Sequence, residues 1–306
     1  MSEEIPAEYF SDREVGPKPR VGQEISPGAW GGIVGVVESM IETGAFGINF
    51  PATCNDGDGI IGADRRAFAL AAQADIPELE WPLVTEKRAD DLFDLSPSFP
   101  FAPPTLVILD LVEFCHRNVG QPIKGHYHQY FGHHHLTFDR EAGQREFKAQ
   151  MNRILARNGL GYELRADGTV ARLAPPVLRE ALAAAVFMTG DATLDQLLNE
   201  ACAKFLSPNS GTRRESLEKL WDAWERMKTV ANPDKKAGIT ALLNKASADP
   251  TFRARLELEA NELTKIGNEF QIRHFETNKI PIQEDGQVDY LFHRMFSLIL
   301  LLSPKR

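Results

Sequence analysis

Apolar residues recur at intervals of three and four along most of this chain, and the places where they do not mark its organisation. Trp30, Ile33, Val34, Val37 and Ile41 share one face, which predicts a helix ended by Gly44, Gly47 and Pro51. Residues 68–74 are Ala-rich and predict a second helix, broken over 77–82, where Trp81 reads as a packing anchor. Residues 96–104 carry four prolines and read as a rigid connector. The next run, 106–115, is apolar nearly all round, which fits a buried helix or a central strand. Phe147, Met151, Ile154 and Leu155 predict an amphipathic helix. Residues 161–164 and 169–173 flank Asp167-Gly168, a β-hairpin signal.

From Val177 onward the pattern is helical throughout. Leu217, Leu220, Trp221, Trp224 and Met227 form one stripe, read as core, on a helix that begins near Ser210. Ile239, Leu242 and Leu243 predict a shorter helix. Asp249-Pro250 supplies an N-cap and a first-turn proline for a long helix over 252–270, and a last helix covers 288–302. The fold class is therefore mainly α (α+β). Two domains are expected: a mixed N-terminal domain over 1–175, with an extended arm to about residue 25, a His-rich loop and the β-hairpin, and a helical domain over 176–306.

Charge and cysteine content narrow the function classes. A formal charge of −9 argues against broad adhesion to DNA or to an anionic membrane, though a local basic pocket for RNA remains open. The three cysteines, Cys54, Cys115 and Cys202, lie far apart with no CxxC spacing, which fits free thiols in a reducing cytoplasm. Met1-Ser2-Glu3-Glu4 is acidic and no long apolar run follows, so no secretory leader is expected, and the apolar run 298–302 is too short to span a bilayer. A cytoplasmic location and no membrane partner are expected.

Two clusters carry candidate chemistry. The first is Ile272-Arg273-His274-Phe275-Glu276, which sets a permanently charged guanidinium beside an imidazole that titrates near neutrality. Such a pair suits work on a phosphodiester, Arg holding oxygens and His moving the proton. It equally suits a helix cap, with Arg273 paired to Glu269 or Glu276 at helical spacing and His274 on the last carbonyls.

Several ordered motifs resemble the bacterial AbiJ-type abortive-infection proteins, whose last domain is similar to the HEPN helical bundle. Tyr9-Phe10-Ser11-Asp12-Arg13-Glu14 resembles the family's opening Phe-Ser-Glu/Asp-Arg segment, and Trp30 its early Trp. Asp110-Leu111-Val112-Glu113-Phe114 resembles its acidic, aromatic-ended helix. Phe147, Asn152-Arg153-Ile154-Leu155 and Gly161-Tyr162 resemble its helix-hairpin unit. Arg213-Arg214-Glu215-Ser216-Leu217 through Trp224-Glu225, then Ile272-Arg273-His274, resemble its later helix and its Ile-Arg-His turn. The resemblance implies a prokaryotic phage-defence role and, through the HEPN-like domain, metal-independent RNA cleavage with no required cofactor. It further implies a two-fold homodimer, RNA as substrate and a phage or host protein as trigger. Arg273 and His274 would be the catalytic pair, with Asn268 or Glu276 orienting the imidazole. The usual HEPN signature separates Arg and His by four to six residues, whereas here they are adjacent.

The second cluster holds five of the eight histidines between His126 and His135. In extended chain, residues two apart point the same way, so His126 with His128, and His133 with His135, form same-face pairs. If Gly132 folds the chain back, three or four of these imidazoles could meet on a zinc-like ion with an open position, with Asp139 or Glu141 as an oxygen ligand or as an acceptor behind a ligating ring. An aromatic-His loop packed on the 106–115 segment, or a pH-sensitive partner surface, fits the same residues. Gly57, Gly59 and Gly62 read as turn geometry, and Asp56 and Asp58 lack the rest of a calcium loop. Arg213-Arg214 and Lys235-Lys236 read as solvated helix ends.

Overall fold

A short helix α1 (Phe10–Val15) precedes α2 (Pro27–Glu42), whose start is set by Ser26: its Oγ accepts from the Ala29 amide, and Pro27 occupies the first turn. Ala29, Trp30, Ile33, Val34, Val37, Met40 and Ile41 are buried along one side of α2. Strands β1 (Pro51–Thr53) and β2 (Ile60–Ala63) pair antiparallel around a tight turn. Asp64 caps α3 (Arg65–Asp75), and β3 (Glu86–Arg88) pairs with β4 (Ser98–Pro100). Then follow α4 (Thr105–Asn118), β5 (Gln121–His128), β6 (His133–Asp139), α5 (Arg140–Arg157), and the hairpin β7 (Tyr162–Leu164) and β8 (Val170–Arg172). These elements lie in the first of two compact units, Met1–Leu173; the second is Ala174–Arg306. The computed structural model describes residues 9–57, 59–88, 97–273 and 279–303.

The 106–115 segment is helical, and α4 buries Val107, Ile108, Leu109, Leu111, Val112, Phe114, Cys115 and His116. Part of the prolyl connector is strand: Lys87 faces Phe99 in the ladder, because a proline at an edge strand loses no hydrogen bond the sheet needs. Buried polar groups tie the remaining pieces together. Asn152 on α5 donates to the Leu164 carbonyl at 2.9 Å and accepts from its amide at 2.8 Å, fixing the β7–β8 hairpin on the helix. Trp30 Nε1 donates to the Val84 carbonyl at 2.8 Å, which pins the segment around Trp81.

The second unit's elements, among the described residues, are the helices α6 (Pro176–Ala184), α7 (Ala192–Phe205), α8 (Ser210–Ala231), α9 (Lys235–Ala246), α10 (Pro250–Glu269) and α11 (Asp285–Leu302), with one isolated β-bridge between Phe270 and Ile280. Asp191, Asn209, Asp234 and Asp249 each cap the helix that follows with a side-chain oxygen, which explains why the breaks fall where they do. Trp221 and Trp224 are buried, as the stripe on α8 predicts. Phe205 stacks on Phe292 with centroids 3.9 Å apart, and Trp221 lies against Gly267, where no larger side chain would fit. Arg213 departs from expectation. It is fully buried rather than solvated, because its guanidinium pairs with Asp285 and donates to the Ser207 and Pro208 carbonyls. Among the described residues no helix is long and apolar enough to cross a membrane.

Candidate functional site

The histidine-rich segment is a hairpin rather than a loop. Gly132 takes φ 70°, a left-handed conformation that costs glycine little, and turns β5 back onto β6. His128 pairs with His133 across the strands, and His135 follows two residues on, so the pleat sets all three on one face. Their ring centroids form a triangle with every side 5.7 Å. His134 points the other way, 4.9 Å from the Tyr127 ring, with Nδ1 3.1 Å from the Gly125 oxygen. A register irregularity between Lys124 and Tyr127 displaces His126, which is exposed, its ring 6.1 Å from that of His135.

The turn after β1 brings two further donors to this face. Cys54 is buried, and its Sγ lies 3.2 Å from His133 Nε2. Asp56 Oδ2 lies 2.6 Å from His128 Nε2. The turn that presents them is closed by Cys54 N–H donating to the Gly59 oxygen at 2.8 Å, with Gly57 at φ 83°. Gly59 makes room for the third imidazole: a Cβ at that position would lie 2.7 Å from His135 Cγ. His135 Nε2 is itself a buried polar atom with no hydrogen-bond partner.

Donor atoms of Cys54, His133 and His135 all lie within 4.8 Å of one another, and so do those of Cys54, Asp56 and His128. One thiol, three imidazoles and a carboxylate make a borderline-soft set that suits zinc or a similar first-row ion. A tetrahedral zinc site places sulfur and nitrogen ligands about 3.5 Å apart, close to the observed Cys54–His133 separation. Nucleophilic catalysis by the Cys54–His133 pair fits less well. Burial raises the thiol pKa, a hydrogen bond with Asp56 raises it further, and a reactive cysteine needs an exposed thiolate.

The Arg273 turn follows the end of α10 at Glu269. Arg273 Nε donates to Asp222 Oδ1 on α8 at 2.8 Å, a partner on a distant helix, where helical spacing led to an expectation of Glu269 or Glu276. Side-chain exposure of the two is 30% and 32%, which makes this a half-solvated pair. The Asn268 carbonyl accepts from Lys279 Nζ. His274 and Glu276 lie outside the described residues.

Of the four histidines expected to converge, the structure sets His128, His133 and His135 on one face and leaves His126 exposed. Cys54 and Asp56 were not among the expected residues and lie 79 and 72 positions from their histidine partners. A local signal for them exists: Cys54-Asn55-Asp56-Gly57 is a turn carrying two metal-competent side chains, and its relation to the histidines is invisible until the hairpins meet.

A family model described as AbiJ N-terminal domain 4 matches residues 8–188. No curated protein and no solved structure matches the chain.

Proposed function

Because the chain belongs to the AbiJ N-terminal domain 4 family, we propose that it acts in prokaryotic abortive infection and that α6–α11 form a HEPN-like effector that cleaves RNA. The family match carries the defence reading. The RNA reading draws support from the resemblance of the C-terminal half and from the surface position of Arg273. Asp222 holds that guanidinium by Nε while the head stays partly exposed, a pre-oriented donor for phosphate oxygens. In this mechanism His274 removes the proton of a ribose 2′-hydroxyl or protonates the leaving oxygen, and Arg273 neutralises charge developing on the phosphorane. Asn268 or Glu276 orients the imidazole, and two copies assemble about a two-fold axis.

RNA integrity decides it. The wild-type chain should fragment RNA in infected cells, and in vitro in the presence of EDTA. His274→Ala should lower cleavage by about a hundredfold or more, the usual contribution of a general acid–base. Full cleavage by that variant removes the assignment. The ion pair to Asp222 also favours a second reading, in which the turn is a structural cap and the protein works by docking another chain. That reading expects intact RNA with the wild-type protein and only stability changes in Arg273 and His274 variants.

A further inference from the structure

We propose that Cys54, His133 and His135 bind one zinc-class divalent cation, with the His128–Asp56 pair closing the fourth corner. Three independent observations converge on this cluster. Donor atoms from two hairpins approach within metal-ligand spacing, in two groups that share Cys54. His135 Nε2 is buried with no hydrogen-bond partner, which is unfavourable for a polar atom unless something accepts its lone pair or proton. Gly59 leaves space for the His135 ring that any Cβ would invade.

The donor chemistry selects the ion. Calcium and magnesium take oxygen ligands, of which this face offers one carboxylate, whereas thiolate and imidazole favour zinc. Four protein corners leave no open position, so the ion is structural: it fastens the β1–β2 turn to the β5–β6 hairpin. The short strands of β1–β2 bury little apolar surface on their own, and a metal clip supplies what their core lacks. His128 and Asp56 form the outermost part of the site, half-exposed, while Cys54 is its buried floor. The proposal does not depend on RNA cleavage and stands or falls separately from it.

The test uses the full-length chain without an affinity tag. Elemental analysis after purification, and after reconstitution with zinc alone, should give one zinc per chain. Cobalt added to the metal-free protein should show intense ligand-field bands of a tetrahedral site together with a thiolate-to-cobalt charge-transfer band. Cys54→Ser should abolish the charge-transfer band, and His133→Ala or His135→Ala should lose stoichiometric zinc. His126→Ala and His134→Ala should keep it. Asp56→Asn should weaken zinc binding about ten- to a hundredfold, the usual effect of removing a carboxylate beside a ligating histidine. Should a variant fail to fold, the cobalt spectrum of the wild-type chain still decides. No stoichiometric zinc after reconstitution, or a cobalt spectrum without sulfur ligation, overturns the proposal. Equal loss of zinc in His126→Ala and His133→Ala overturns it too.

Discussion

Gly59 Cα faces the His135 ring so closely that a methyl group on it would lie 2.7 Å from Cγ and 2.8 Å from Nδ1. The absence of a side chain in one hairpin thus sets the position of an imidazole in another. Gly59→Ala should leave the overall fold intact and displace His135, lowering zinc affinity about tenfold or more, as loss of ligand positioning commonly does. Competition with a chromophoric chelator measures the change, and circular dichroism checks the fold. Unchanged affinity would mean that His135 does not need this position.

Gly267 occupies the same kind of place on α10. A Cβ there would lie 2.3 Å from Trp221 Cδ1 and Nε1, and Trp221 cannot retreat because its Nε1 donates to the Leu263 carbonyl at 3.0 Å. An exposed helical Gly→Ala change gains about 1 kcal/mol from propensity. Overpacking should reverse the sign at this site, and Gly267→Ala should destabilise the chain by about 1–3 kcal/mol. Urea unfolding followed by tryptophan fluorescence gives the answer.

His116 should make the first unit sensitive to acid. It is almost fully buried, and burial holds its imidazole pKa below 6.5; Asp167 opposes this and Lys148 adds to it. A Cβ on Gly168 would lie 2.6 Å from its Nδ1, which shows how closely the β7–β8 turn covers the ring. The folded state therefore keeps the ring neutral where the unfolded chain accepts a proton. Stability is full above pH 6.5 and falls as the pH drops from 6.5 toward the lowered folded-state pKa, by at most about 1.4 kcal/mol per pH unit for one proton. His116→Gln should flatten that slope. Denaturation midpoints of both chains between pH 7 and pH 5 (about two units around the ordinary imidazole value) test it.

Asp222 separates the two readings of the Arg273 turn. A half-exposed ion pair contributes roughly 0–1 kcal/mol, so Asp222→Asn should change unfolding by no more than about that amount. If Arg273 serves phosphate, Asp222→Ala should reduce RNA cleavage with no larger change in stability than that, since it removes the acceptor that orients the guanidinium. A loss of stability with no RNA phenotype in any variant of the turn would favour the cap.

Local chemistry in the chain was enough to place most helices. Asp249-Pro250 starts a helix because its oxygen and fixed φ act within one turn, and the α2 and α8 stripes follow from 3.6-residue periodicity. Asp167-Gly168 likewise marks the hairpin it closes, and period-two alternation puts His133 and His135 on one face of their strand, a local regularity that fails wherever a side chain answers to a partner far along the chain. Arg213 looks like a surface charge until Asp285 and two carbonyls enclose it. Arg273 finds Asp222 on another helix, 51 positions away. Cys54 and Asp56 become donors beside His133 and His128 only when two hairpins meet, because a metal site depends on distances in space and periodicity carries none of those.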